Sequence, residues 1–257
     1  MTTQEVTKAD PHLGFLAESS NEDLRILVDY LTKKPSGDNR FTEELTCKEK
    51  YKTHYPNSIH EMLPEIVHEL RLFGGNTLAN VLRGGVGVSY EELLTDVCKK
   101  MKVSFNSNTS VEKKEQYLLQ KVFDDSIADM SEEELSEMMK DMDIPTTSFG
   151  KQAMLAALQT AIKRSGFMFY KISVIVANQV SRMMLGRGLT FAANASLTRG
   201  VSILVGPVGW AITIAWTAFD IAAPAYRITI PAVIHIAYMR TLYEQKKIQS
   251  IEAINEQ

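Results

Sequence analysis

An uncharged stretch of 20 residues, 200–219, constrains the fold of this chain more than any other feature of its sequence. A run of roughly 18 or more apolar residues is typical of a membrane-spanning helix. Gly206, Pro207 and Gly209 interrupt this one near its middle, because proline removes an amide donor and glycine is a poor helix former. The sequence therefore predicts two short apolar arms, 189–205 and 210–223, joined as a helical hairpin.

The predicted hairpin has two interpretations that the sequence leaves open. In the first, neighbouring helices of a soluble fold bury it on every side, as a helix without a polar face requires. In the second, the arms leave the fold and enter lipid, with arginines on anionic headgroups and the two tryptophans at the membrane interface. The candidate lipid-binding residues are Arg182, Arg187, Arg199, Gly206, Pro207, Gly209, Trp210, Trp216 and Arg227.

The charges divide unevenly along the 257 residues, whose net charge is −3. Residues 1–145 carry a net charge of −10 and residues 146–257 a net charge of +7. We therefore distinguish an acidic N-terminal helical region, 1–145, from an apolar, basic C-terminal helical region, 146–257. The two regions can neutralise each other by packing together, or the basic region can bind an anionic partner.

Cys47 and Cys98 are the cysteines of the chain, too few for a disulfide framework or a cysteine-based zinc site. No apolar targeting segment opens the sequence within residues 1–10. These features favour the reducing cytoplasm, with peripheral attachment to membranes as the alternative that the lipid interpretation requires.

The N-terminal region contains clear signatures of helix starts. Ser20 precedes acidic residues and an apolar stripe at helical spacing. A serine followed three residues later by glutamate, the signature of a capping box, recurs three times. These pairs are Ser58 with Glu61, Ser89 with Glu92, and Ser131 with Glu134.

Further helices are predicted over 111–128, 153–164 and 167–185, the last of which ends at Gly186 and Gly188. Pro64 lies inside the pattern begun by Ser58, and we predict that a helix starts there, where proline is tolerated. No run alternates with period two over a strand's length. The predicted fold is all-α, a helical bundle of amphipathic N-terminal helices packed on an apolar C-terminal region with a Gly-Pro hairpin.

Two shorter segments predict local breaks. Phe73, Gly74, Gly75 and Asn76 indicate a helix end, with Gly74 in the left-handed conformation and Asn76 capping the next helix. An exposed Phe73 makes these four residues the candidate partner-binding site. Residues 226–231 read as an extended connector, because Pro231 disfavours helix at the residue before it and suits the first position of a new helix.

Sequence motifs of catalysis are missing from the chain. It contains no Gly-x-Ser-x-Gly elbow, no phosphate-binding loop and no His-Glu-x-x-His motif. Glu65 and His68 match one half of a di-iron motif, but a second half is not found. The basic residues lack the dense clusters with interleaved aromatic residues that are typical of nucleic-acid binding. We predict no catalytic residue, metal, cofactor or nucleic-acid partner, and a lone His235 is expected to be structural.

Three motifs resemble landmarks of the bacterial YaaW-like family. They are ELRLFGGNTLAN at 69–80, GPVG at 206–209 and AYRITIPAV at 225–233, and the resemblance runs in the family's order from about residue 13 to residue 240. Part of this family is described as similar to ubiquinol-cytochrome c chaperones. One branch, the JukA proteins, is associated with bacterial immunity against nucleus-forming jumbo phages, together with a second protein. The resemblance implies a role in phage immunity and a protein partner.

The function expected from the residues and the resemblance together is non-enzymatic. The preferred hypothesis is a cytoplasmic immunity sensor that binds a lipid or a membrane-bounded phage structure and engages a partner effector. The alternative is a soluble assembly or chaperone-like module that holds a client protein, and a third class is a hydrolase with an unrecognised site. Binding to pure anionic vesicles separates the first two, because a client-binding module needs protein.

Overall fold

The computed structural model describes residues 3–34, 36–40, 43–74, 87–145, 150–189 and 226–255. The regular secondary structure in these ranges is helical, with no strand and one isolated bridge between Lys33 and Asn39. The predicted all-α fold is confirmed. The helices are α1 (Thr3–Ala9), α2 (Asn21–Thr32), α3 (Glu49–His54), α4 (Leu63–Gly74), α5 (Tyr90–Lys100), α6 (Val111–Ala128), α7 (Glu132–Asp141), α8 (Lys151–Arg164), α9 (Gly166–Leu185) and α10 (Tyr226–Asn255).

Serine side chains cap the helices where the sequence predicts them. Ser20 Oγ accepts a hydrogen bond from the amide of Asp23 at the start of α2, and Ser89 Oγ accepts one from Glu92 at the start of α5. Ser131 forms a complete capping box with Glu134 at the start of α7. Each cap satisfies an amide that has no partner within the helix, which fixes the residue at which the helix begins.

The pattern begun by Ser58 has a different outcome. Ser58 leads into a 3₁₀ turn, Ile59–Met62, and its hydroxyl caps no amide, so the capping box predicted there is wrong. The α-helix α4 then begins at Leu63, one residue before the predicted start at Pro64. Pro64 thus lies in the first turn of α4, where the amide that proline lacks would have no partner within the helix.

One hydrophobic core runs through both regions of the chain. Helix α10 is its centre and packs against α9, α2, α6, α5 and α4. Residues from the acidic region, such as Leu27 and Leu118, and residues from the basic region, such as Val176 and Val233, are fully buried in the same cluster. Packing the two regions together therefore buries the apolar faces of both.

The predicted connector over 226–231 is wrong, because α10 continues through Pro231. The ring removes the hydrogen bond to the carbonyl of Arg227 and crowds that carbonyl, which together cost a helix about 3 kcal/mol or more. Residues 228–239 are all buried, and a buried aliphatic side chain contributes about 1.5–3 kcal/mol. Burial within the core outweighs the local preference of the X-Pro sequence.

None of the helices in the described ranges contains a stretch long and apolar enough to cross a membrane. The segment 190–225 lies outside the described residues. The hairpin predicted from the sequence falls there, together with most of its candidate lipid-binding residues: Arg199, Gly206, Pro207, Gly209, Trp210 and Trp216.

Candidate functional site

The end of α9 and the start of α10, which flank segment 190–225, lie at the same end of the helical bundle. The contacts of both helices along α2 show this. Tyr170 near the start of α9 lies beside Asp23 at the start of α2, and Ser181 lies beside Tyr30 further along. Helix α9 therefore runs in the same direction as α2.

Helix α10 runs in the opposite direction. His235 Nε2 lies 2.9 Å from the carbonyl oxygen of Asp23, whereas Arg227 lies close to Arg40, whose amide bonds the carbonyl of Thr32 at the far end of α2. The chain thus leaves the described structure after α9 and re-enters it before α10 at one place. We call Arg40, Arg182, Arg187 and Arg227 at this place the arginine end.

The turn after α9 holds the departing chain against the helix. Gly186 has a φ of +68°, the left-handed conformation that ends many helices, which confirms the predicted break. Ser181 Oγ donates to the carbonyl of Arg187 at 2.8 Å, and the amide of Leu189 donates to Asn178 Oδ1 at 2.9 Å. At Gly188 a Cβ atom would lie 2.5 Å from Asn178 Oδ1, so this close approach requires glycine.

Arg187 is engaged within the fold. Its guanidinium forms an ion pair with Asp29 of α2 and lies 3.8 Å from Glu22 Oε1. Asp29 is buried and also accepts a hydrogen bond of 2.7 Å from the Tyr55 hydroxyl. Arg187, predicted to contact lipid headgroups, therefore fastens the turn after α9 to α2 in this structure.

The other three arginines are differently placed. Arg182 and Arg227 are exposed, and within the described ranges no carboxylate forms an ion pair with either of them or with Arg40. Arg40 Nε is buried and donates to no acceptor in the part of the chain that the structure describes. Burial lowers the pKa of the Arg40 guanidinium, and the positive charge of Arg227 lowers it further. The guanidinium groups of Arg40 and Arg227 repel each other, and Arg40 Nε has a hydrogen to donate. An anion bound beside them would therefore be stabilised.

Arg40 was missed by the sequence analysis. It follows the loop that begins after α2, far in sequence from Arg227, and no periodic pattern links the two positions. The one sequence signal that could have found it is its place just after the loop marked by Pro35 and Gly37. Such loops carry functional residues more often than the elements they connect.

The structure describes Phe73 and Gly74 of the predicted partner-binding site, whereas Gly75 and Asn76 lie outside the described residues. Phe73 is half-buried and packs against the core, so the expectation of an exposed ring is wrong. The expected left-handed conformation at Gly74 is also wrong, because Gly74 is the last residue of α4 and has no positive φ.

Gly74 has a steric role instead. A Cβ atom there would lie 2.6 Å from Val88 Cγ2 and 2.7 Å from Leu93 Cδ1, both of which are buried side chains. Arg71 fastens the same corner by donating to the carbonyls of Val88 at 2.7 Å and Ala9 at 2.5 Å. The corner after α4 is therefore tightly packed.

No metal-binding group of three His, Cys, Asp or Glu side chains occurs among the described residues. Glu65, from the half di-iron motif, forms an ion pair with Lys50 at 2.8 Å. His235 is fully buried between Tyr30 and Tyr238, and burial lowers the pKa of its imidazole. Its hydrogen bond to the backbone of α2 gives it the structural role that the sequence predicts.

Comparisons with known proteins place the chain among related bacterial proteins. It is 42% identical over 252 residues to a UPF0174 protein of Helicobacter pylori strain J99, an alignment that covers 96% of this chain and 99% of that protein. A second UPF0174 protein of the same strain is 34% identical over 77% of this chain and 96% of its own length. The UPF0174 protein YaaW of Escherichia coli K12 is 28% identical over 93% of this chain and 97% of its own.

The match to YaaW over nearly the whole chain confirms the YaaW-like resemblance of the sequence motifs. A model described as a domain of unknown function, DUF3944, matches residues 8–41, which include α2 and Arg40. No solved structure matches the chain.

Proposed function

We propose that this chain, which belongs to the UPF0174 family, is a non-enzymatic bacterial anti-phage immunity protein. It binds an anionic lipid or a membrane-bounded phage structure early in infection and then engages a partner effector protein. The resemblance to the YaaW-like family, one branch of which is associated with phage immunity, supports the biological setting. The arginine end supports the lipid chemistry.

The observation that carries the proposal is the closeness of two positive charges, Arg40 and Arg227, beside the end of α9 and the start of α10, which flank the uncharged segment. A lipid phosphate bound between the two guanidinium groups would satisfy the buried Nε of Arg40 and relieve their repulsion. Exposed Arg182 adds a third cation at this end. Each basic residue near an anionic membrane contributes about 1 kcal/mol to its binding.

In this proposal the apolar arms enter lipid only after the arginine end has engaged headgroups. A binding step that combines charge with apolar burial is typical of proteins that attach reversibly to membranes. The ion pair between Arg187 and Asp29 opposes release of the arm that follows α9, so it favours the unattached state. The corner at Phe73 remains the proposed contact for the effector protein.

Vesicle flotation tests the proposal. Wild-type protein is mixed with vesicles of phosphatidylcholine alone or with about one third phosphatidylglycerol, and we expect it to float with the anionic vesicles alone. The variant Arg182→Glu/Arg227→Glu should lose this binding and, in cells, protection from phage. The variant Lys8→Glu/Lys140→Glu is the control, because it makes the same change in net charge at exposed positions elsewhere.

Two outcomes would contradict the proposal. The first is unchanged vesicle binding by the arginine variant at a normal melting temperature. The second is wild-type protein that binds no anionic vesicle, which would favour the alternative of an assembly or chaperone-like module for a client protein.

A further inference from the structure

The last three turns of α10 expose a ridge of isoleucines. The exposed fractions are 47% for Ile248, 59% for Ile251 and 71% for Ile254. The helix is buried through Met239, and its residues become steadily more exposed from there to Asn255. Three large aliphatic side chains at a spacing of three residues lie along one side of a helix, so they form a continuous apolar surface. We call residues 248–255 the α10 tail.

A groove lies beside the start of this ridge, between α6, the junction of α8 and α9, and α10. Its volume is about 400 Å³. Its apolar lining comes from Tyr117, Ile162, Phe169 and Ile248. The two lysines that line it, Lys113 and Lys163, outnumber its one carboxylate, Glu244, so the groove carries a net positive charge. Tyr117 is itself 44% exposed. The groove thus leaves a second apolar surface open next to the tail.

We propose that the chain forms a dimer in which the α10 tail of each copy occupies this groove on the other copy. The groove follows α10 from Thr241 to Ile248, and the tail extends from Ile248 to Asn255. At 1.5 Å per residue each is about 10 Å long. Two antiparallel tails that overlap around Ile248 and Ile251 therefore fill both grooves in one two-fold symmetric interface.

The chemistry of the two surfaces is complementary. In the antiparallel arrangement Ile251 of each copy lies against Ile248 of the other, and Ile254 reaches the level of Gln245 and the exposed Tyr117 ring. Glu252, the one acidic residue of the tail, enters a groove whose net charge is positive because two lysines line it against one glutamate. A groove and a ridge of equal length and opposite charge on the same chain favour a second copy over an unrelated partner.

The oligomeric state of the full chain in solution tests this inference. Light scattering after size-exclusion chromatography should give about twice the chain mass of 28.8 kDa at protein concentrations of tens of micromolar. The variant Ile251→Lys/Ile254→Lys should weaken the dimer at least tenfold and leave the melting temperature of the monomer unchanged, because both side chains are exposed. The control Gln249→Lys/Ala253→Lys adds the same charge on the opposite side of the helix from Ile251 and should remain dimeric.

A charge exchange tests the register of the tail in the groove. Glu252→Lys alone and Lys113→Glu/Lys163→Glu together should each weaken the dimer several-fold, and the triple variant should recover it because both copies then carry exchanged charges. Wild-type protein that is monomeric at all concentrations would overturn the inference. So would a dimer that persists in Ile251→Lys/Ile254→Lys, since it would have to form at another surface.

Discussion

Arg187, in the turn after α9, forms an ion pair with the buried carboxylate of Asp29 in α2. This pair joins the acidic and basic regions of the chain at the point where segment 190–225 begins. The turn is also held by Ser181 and Asn178, which bond the backbone of Arg187 and Leu189. The ion pair is the one of these contacts that a change of charge can remove without altering the shape of the turn.

The variant Asp29→Asn should increase binding to anionic vesicles. The amide keeps an acceptor for the Tyr55 hydroxyl but no longer neutralises Arg187, whose remaining ion-pair partner among the described residues is Glu22 at 3.8 Å. Arg187 is then held less firmly and is more available to headgroups. We expect the free energy of unfolding to fall by about 1–3 kcal/mol. Vesicle flotation and thermal melting measure the two effects.

Tyr55→Phe is the matched control for this variant, because it removes the hydrogen bond to Asp29 and keeps the ion pair. It should lower stability without raising vesicle binding. Equal binding by wild type and Asp29→Asn would show that the ion pair does not restrain the membrane-binding state.

A second buried ion pair should be needed for folding. Arg240 Nε in α10 donates to Glu115 Oε2 in α6 at 2.5 Å, and Glu115 Oε1 accepts from the Tyr90 hydroxyl at 2.6 Å. Glu115→Gln keeps one acceptor oxygen, which can serve Arg240, and places its NH2 group at the Tyr90 hydroxyl, but it leaves the mostly buried Arg240 charge uncompensated. We expect a loss of about 3–5 kcal/mol in the free energy of unfolding, measured by urea denaturation.

The half-exposed pair of Lys121 and Asp125 provides the comparison for Glu115→Gln. Asp125→Asn should cost less than about 1 kcal/mol, because solvent screens that pair. A small loss for Glu115→Gln as well would mean that water reaches Arg240.

Gly74→Ala tests the steric role of the corner after α4. Alanine is favoured over glycine in a helix by about 1 kcal/mol, but the added methyl group would lie 2.6 Å from a buried valine side chain. Overpacking of this kind costs about 1–3 kcal/mol, so we expect a net loss of stability and a lower melting temperature. Gly166→Ala, which meets nothing within 4 Å at the start of α9, should be neutral or stabilising.

Local chemistry explains which parts of the fold could be predicted from the sequence. The serine caps of α2, α5 and α7 depend on residues three apart, and the break at Gly186 depends on one residue's conformation. The course of α10 through Pro231 depends on burial by distant helices, which overrides the local preference. Arg187 bonds Asp29 across 158 positions of the chain, and Arg227 comes near enough to Arg40, across 187 positions, for its charge to act on it. No local pattern encodes such relationships.

Glu69 gives the chain a pH dependence that can be assigned to one residue. Its carboxylate is buried within α4 and accepts a hydrogen bond from the amide of Glu44 at 3.1 Å. Burial, with a smaller contribution from the charges of Glu43 and Glu44, raises the pKa of Glu69 to about 7 despite the hydrogen bond from Glu44, which lowers it. The folded chain therefore binds a proton here that the unfolded chain, with a pKa near 4.5, releases.

The sign follows from this difference in proton binding. Because the folded state holds more protons, the contribution of Glu69 to the free energy of unfolding falls as the pH rises from about 4.5 to about 7 and stays low above that. Glu69→Gln removes the ionisation and keeps an acceptor for the Glu44 amide. We expect this variant to be more stable than the wild type by about 1 kcal/mol or more near pH 8 and nearly equal to it near pH 4, where Glu69 is mostly protonated in both the folded and the unfolded chain. Thermal melting of both proteins across this pH range measures the difference, and a gap that does not change with pH would show that the carboxyl of Glu69 titrates alike in the folded and unfolded chains.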